Sequence, residues 1–226
     1  MDIKIYQINA DRDTDRVKFL PHDYLKSVQG ESTINASIYD EVFCGDVDCQ
    51  TLEDIYMKFN TEGHPLHRGH SLSVSDIVQT PDGYFYCDSA GFVKTEFDHS
   101  LAQKPDNLMR IVYVEPHRKP FVSEIEPTLK AEQKAVCGLI DIVYNDDGTC
   151  IVCNDEAKLI GMEGNRYLDD GHTIIAGPLF VCGTAENDFR GLTDQEVERY
   201  MDRFAQPEDI SQAEVEADMG YIIFSM

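Results

Sequence analysis

A chain of 226 residues with 42% apolar and 27% charged side chains can bury one large core or two small ones, and its composition is that of a folded protein. Its 42 acidic against 19 basic side chains give a formal net charge of −23. That balance argues against nucleic acid as a direct ligand, because phosphate binding needs clustered Lys and Arg.

In chain order, Asp2 to Asn9 comes close to apolar–polar alternation and predicts a first strand. Asp11 to Arg16 is a charged connection. Tyr24 to Val28, following Pro21, predicts a short helix, and Tyr39 to Phe43 a strand. Thr51 with Asp54 three residues on is an N-cap signal. Leu52, Ile55, Tyr56 and Phe59 then recur at helical spacing, so 52–60 is expected as an amphipathic helix closed by Gly63. His64 to His70 reads as a polar loop. Ile77–Val78, the turn Pro81-Asp-Gly83, the run Tyr84 to Cys87 and the alternating run Phe92 to Phe97 predict a three-stranded meander packed on that helix.

Periodicity fades over 99–108, where Pro105-Asp-Asn107 reads as a linker. Two domains are therefore expected, 1–98 and 109–226. The second part is the more acidic: 18 acidic and 9 basic side chains precede residue 106, and 24 and 10 follow from there on. Met109 to Glu115 starts a new strand, and Pro127 to Val136 is a helix with Pro in its first turn. Leu139 to Tyr144 and Thr149 to Cys153 flank Asp147-Gly148, the strongest hairpin signal in the chain. Residues 154–167 read as connections. Thr173 to Cys182 reads as one strand interrupted at Gly177-Pro178. Thr193/Glu196 and Ser211/Glu214 are capping boxes that open two acidic helices, and Tyr221 to Ser225 is a terminal strand or tail. The expected class is α+β: two small domains, each a mainly antiparallel sheet with one to three helices.

The start, Met1-Asp-Ile-Lys-Ile-Tyr6, shows no cationic stretch before an apolar one, so no leader is expected. The longest apolar run, Thr173 to Cys182, is far too short to cross a bilayer. Seven Cys at irregular spacing read as reduced thiols, which suits a cytoplasmic setting.

Three constellations invite a chemical reading. His64, His67 and His70 are spaced by three, but Pro65 and Gly69 keep them off a helix, so a loop is expected rather than a metal site. Cys150 and Cys153 have knuckle spacing inside an apolar strand, where i and i+3 face opposite ways, so buried inert thiols are expected. Ser73, Ser75 and Asp76 precede a strand without any nucleophile elbow, and a turn-capping role is expected. Asp76 and Asp88 could pair as carboxylates.

Ile5-Tyr-Gln-Ile8, Ser71 to Asp76, Tyr84 to Asp88 and Gly91-Phe92 together resemble the YodL-like family. Asn165-Arg166, Ile174 to Pro178 and Phe189 to Gln195 look like a second family, domain of unknown function 3846, found in phage and mobile-element proteins. The two resemblances imply an accessory module of a phage or conjugative element, from the neighbourhood of antirestriction and plasmid-maintenance genes. They carry no catalytic residues and no cofactor.

Charge and resemblance together lead to one expectation. The protein is a non-enzymatic binding protein whose acidic surface meets a basic host or element protein, as a DNA mimic would. The expected contact residues are Glu196, Glu198, Asp202, Glu208, Asp209, Glu214, Glu216 and Asp218. The alternative is a hydrolase-like enzyme using Asp76 and Asp88 or the His64-His67-His70 loop.

Overall fold

The computed structural model describes residues 1–29, 34–168, 171–186 and 188–219. The chain divides into two compact units, Met1–Asp106 and Asn107–Met226. Each is a mixed α+β unit built on antiparallel sheet.

The first unit holds strands β1 (Asp2–Ile8), β2 (Tyr39–Asp46), β3 (Ile77–Thr80), β4 (Gly83–Asp88) and β5 (Gly91–Thr95), in the order β2-β1-β3-β4-β5. The meander is β3–β4–β5, and Gly83 at φ +123° makes the turn a side chain would resist. Ile5 and Tyr6 are both fully buried, although neighbours on a strand point to opposite faces, so the strand is covered on both sides. A register shift between these two residues adjusts the pairing with β2. Tyr6 and Ile8 join Leu25 of α1 (His22–Gln29) in one core cluster. Phe43, the register partner of Ile5, meets Phe59 of α2 (Leu52–Thr61) with ring centroids 5.0 Å apart.

The capping box at Thr51 and Asp54 forms as read. The inward face of α2 is narrower than its spacing predicts. Ile55 and Phe59 are buried and Leu52 is half-buried, but Tyr56 is 40% exposed and only approaches Phe92 edge-on. Phe59 packs on β2 rather than on the meander.

Residues 99–103, inside the stretch read as a linker, are built into this unit. His99–Leu101 form a 3₁₀ turn capped by Asp98, and Gln103 exchanges backbone hydrogen bonds with Tyr39 and Glu41.

The second unit holds β6 (Met109–Val114), β7 (Phe121–Ile125), α3 (Leu129–Ala135), β8 (Ile140–Tyr144), β9 (Thr149–Asn154), β10 (Gly164–Tyr167), β11 (Ile174–Ala176), β12 (Leu179–Thr184), β13 (Phe189–Arg190), α4 (Asp194–Arg203) and α5 (Gln212–Asp218). The main sheet runs β7-β6-β12-β9-β8, with β13 on the end of β12. Val197, Tyr200 and Phe204 from α4 and its C-cap pack on Val112, Ile151 and Val181.

Two expectations change here. Gly164 to Tyr167 is a strand, not a connection: it pairs with β11 in a separate two-stranded sheet, where Val215 of α5 joins Ile174 and Ala176. Thr173 to Cys182 is therefore two strands in two sheets. Gly177 at φ +71° turns the chain between them, and a side chain there would strike the Met162 sulphur. The expected strand at Tyr221 to Ser225 lies outside the described residues. Among the described residues, no helix is long and apolar enough to cross a membrane.

Candidate functional site

The eight acidic residues expected to bind a partner divide into two sets. Four are built into the second unit. Glu196 closes the cap of α4, is nearly buried, and takes a two-pronged ion pair from Arg190 at 2.7 and 2.9 Å. That pair, aided by the Thr193 amide and hydroxyl and opposed by burial, holds the Glu196 carboxyl down at about 2. Glu214 closes the cap of α5 and accepts from the Tyr167 hydroxyl. Glu208 accepts from the Tyr167 amide. Asp218 accepts from Lys158 and from the Ile174 amide. The other four, Glu198 and Asp202 on α4, Asp209 between the helices and Glu216 on α5, are exposed.

Glu196→Gln keeps an acceptor for the cap and loses the ion pair. It is expected to destabilise the second unit by roughly 1–2 kcal/mol, the lower part reflecting a part-exposed Arg190. Because the folded carboxyl is depressed, the wild-type advantage is present above the ordinary glutamate range and fades as pH falls toward about 2. Urea titrations of both proteins at neutral and acid pH measure it.

In the first unit, the Ser71-to-Asp76 motif builds a buried polar knot. Asp76 is fully buried at the entry to β3. Its Oδ2 accepts from the Ser73 amide and from Gln7 Nε2, both at 2.8 Å. Gln7 also donates to the His70 carbonyl and accepts from the His70 amide. A side chain at Gly69 would collide with the Gln7 carboxamide at 1.9 Å, so Gly69 admits this approach. Ser75 sits at φ +81°, held by Tyr39, whose hydroxyl donates to its carbonyl, and by the Phe19 amide, which donates to its hydroxyl. Asp76 Oδ1 has no hydrogen-bond partner among the described residues. Burial raises the Asp76 carboxyl to about 7, against the Ser73, Gln7 and Lys18 contributions. The expected turn-capping role is present, with an ionisable group sealed inside it. The structure does not bring Asp88 to it: the Asp88 carboxylate accepts from the Ser89 and His22 amides.

The histidine stretch is a loop, but not a polar one. His64 and His67 are buried, packed on Phe43 and Phe59 at 4.6–6.1 Å between ring centroids. His64 Nδ1 accepts the Leu66 amide. Two of the three rings thus serve as aromatic core. Among the described residues, no three His, Cys, Asp or Glu side chains are grouped to hold a metal. Prolonged treatment with a strong chelator is expected to leave the melting temperature unchanged. A fall of more than a few degrees, with stoichiometric zinc by elemental analysis, would overturn that.

The second unit has its own hub, which sequence reasoning missed. Arg166 is fully buried, and its guanidinium donates to the carbonyls of Asn165, Arg118 and Phe204 and to the Asn165 side chain. Asn165 in turn donates to the Val114 and Gly177 carbonyls. Phe204 is the C-cap of α4, where a cation also meets the negative end of the helix dipole. The Phe189-to-Gln195 motif is structural in the same way: Leu192 donates its amide to Arg110, and Thr193 caps α4. A concavity of about 630 Å³ opens beside α4, with Tyr144, Asn145, Arg199 and Arg203 in its wall. Its Arg199 is ion-paired to Asp147.

These features define a tandem of two small α+β modules, the first knotted at Asp76 and the second at Arg166. Compared with known families, residues 2–97 match the YodL-like domain and residues 109–205 match domain of unknown function 3846. No curated protein and no solved structure matches the chain.

Proposed function

We propose that the protein is a non-enzymatic accessory factor of a phage or conjugative element, acting in the cytoplasm through an acidic surface on a basic host or element protein, as a DNA-mimicking anti-defence factor would. One observation carries this reading: Glu198, Asp202, Asp209 and Glu216 stay exposed on the second unit of a chain with a net charge of −23, while their acidic neighbours hold the fold. Such a surface draws a basic partner by long-range attraction that salt screens. The test is a pull-down from a bacterial host lysate at low and moderate salt. Recovery of a DNA-handling protein that salt releases supports the reading. A partner held through an apolar face and indifferent to salt defeats it.

One observation favours the alternative enzyme: the shifted Asp76 carboxyl, since acid–base groups are tuned in this way. Against it, Asp76 has no exposed surface to offer a substrate. Turnover of a small molecule that Asp76→Ala abolishes would reverse the ranking.

A further inference from the structure

We propose that Cys150 and Cys182 form an oxidative modification site, closing a disulfide between β9 and β12 when the protein meets a peroxide. The inference is independent of the proposed function.

The two residues are direct register partners on neighbouring antiparallel strands. Residues so placed have Cα atoms about 4.5–5.5 Å apart, inside the range of roughly 4.4–6.8 Å that a disulfide spans. Their sulphurs already lie 3.5 Å apart. Bond formation therefore needs side-chain rotation and no change of strand register. Cys153, three residues along, cannot compete. It lies with Ile151 in the cluster on the α4 face, while Cys150 and Cys182 face the other way.

The pair is also chemically graded. The two thiols share a hydrogen bond in which either sulphur can donate, and donation from Cys182 shifts the Cys150 thiol down and the Cys182 thiol up. Burial shifts Cys49, Cys87 and Cys153 upward. Two charged groups act on the pair: the buried Glu132 of α3 opposes ionisation at both sulphurs, and Arg190 favours it at Cys182. With Cys182 as the donor, Cys150 is the nucleophile. Its thiolate attacks one peroxide oxygen, the O–O bond breaks, and the departing hydroxide takes up a proton to become water. Cys150 is then a sulfenic acid. The Cys182 sulphur, losing its proton, attacks the Cys150 sulphur and expels the second oxygen as water. Two thiols and one peroxide give one disulfide and two waters. The peroxide gains the two electrons that the sulphurs lose.

Both cysteines are fully buried, so the peroxide enters during local opening, and the reaction is slower than at an exposed thiol. The closed loop, 150 to 182, contains β10 and β11 and with them Asn165 and Arg166. Oxidation therefore ties the hub of the second unit to its sheet.

The full-length protein is incubated with hydrogen peroxide in native buffer, then unfolded, alkylated, digested and sequenced by mass spectrometry. The expected product links Cys150 to Cys182, is lighter by two hydrogens and reverts with dithiothreitol. Titratable thiols in the unfolded chain fall from seven to five. The second unit melts at a higher temperature after oxidation than before. Cys150→Ser and Cys182→Ser each give no linked product, and Cys150→Ala serves where Ser disturbs the core. Full alkylation of both residues after oxidation overturns the proposal. So does a link from Cys150 to Cys153, or reaction confined to the exposed Cys137.

Discussion

A variant with Glu198, Asp202, Asp209 and Glu216 all changed to lysine is expected to lose its partner and keep its fold. The four side chains are exposed, so each change should move stability by no more than about 0.5 kcal/mol. The formal charge falls from −23 to −15. At the interface, each reversal removes an attraction and adds a repulsion, worth together about 1 kcal/mol at an exposed site. Four of them amount to about 4 kcal/mol, or roughly a thousandfold in affinity at low salt. The salt dependence of whatever binding remains should flatten as well. The measurement is titration of wild type and variant against the protein recovered by pull-down, with urea unfolding of both as the control. Unchanged affinity would sink the acidic-surface reading. Reversing the other four is a different experiment: Glu196, Glu208, Glu214 and Asp218 hold caps and strands, and their loss reads out as unfolding.

The first unit is expected to lose stability as pH rises from about 4, the ordinary aspartate value, to about 7, and Asp76→Asn to remove that loss. A carboxyl raised to about 7 when folded binds its proton more tightly folded than unfolded. Its contribution is complete below the ordinary aspartate range and disappears as pH rises through 7. The gap amounts to something on the order of 4 kcal/mol. Asparagine has the shape of the protonated acid: its carbonyl can accept from Gln7 and Ser73 as Oδ2 does, and it never ionises. Wild type and variant should therefore match only below about pH 4 and diverge steadily until about pH 7, beyond which the variant stays the more stable. Amide exchange across β3 and β4, corrected for the intrinsic rate at each pH, would show it. Parallel pH profiles for the two proteins would refute the assignment.

The elements legible in the sequence were those whose cause is local. Pro81-Asp-Gly83 and Asp147-Gly148 fix their hairpins, and the three capping boxes fix their helix starts, within a few residues. The same boxes already commit Glu196 and Glu214, because a capping carboxylate must turn back to its own N-cap. Counting acids hid what spacing had declared. The remaining features depend on partners far along the chain. Asp76 is sealed by Gln7, 69 residues away, and Arg166 reaches 48 residues back to Arg118 and 38 forward to Phe204. A four-residue strand such as β10 has too little periodicity to announce itself, and its pairing with β11 settles it. The histidine spacing was visible, but its packing on Phe43 and Phe59 was not.

The position of β12 in the main sheet bears on how the protein is made. It lies between β6 and β9, so it joins two hairpins that are complete long before it, one by Ile125 and the other by Asn154. During synthesis, β6 and β9 each present an open apolar edge until Thr184 has left the ribosome. Over that interval the pairing most readily within reach is the wrong one, β6 against β9 or either against another nascent chain. The yield of native protein is therefore expected to fall when translation slows between Asn154 and Thr184, which rare codons placed in that stretch would show as a larger insoluble fraction.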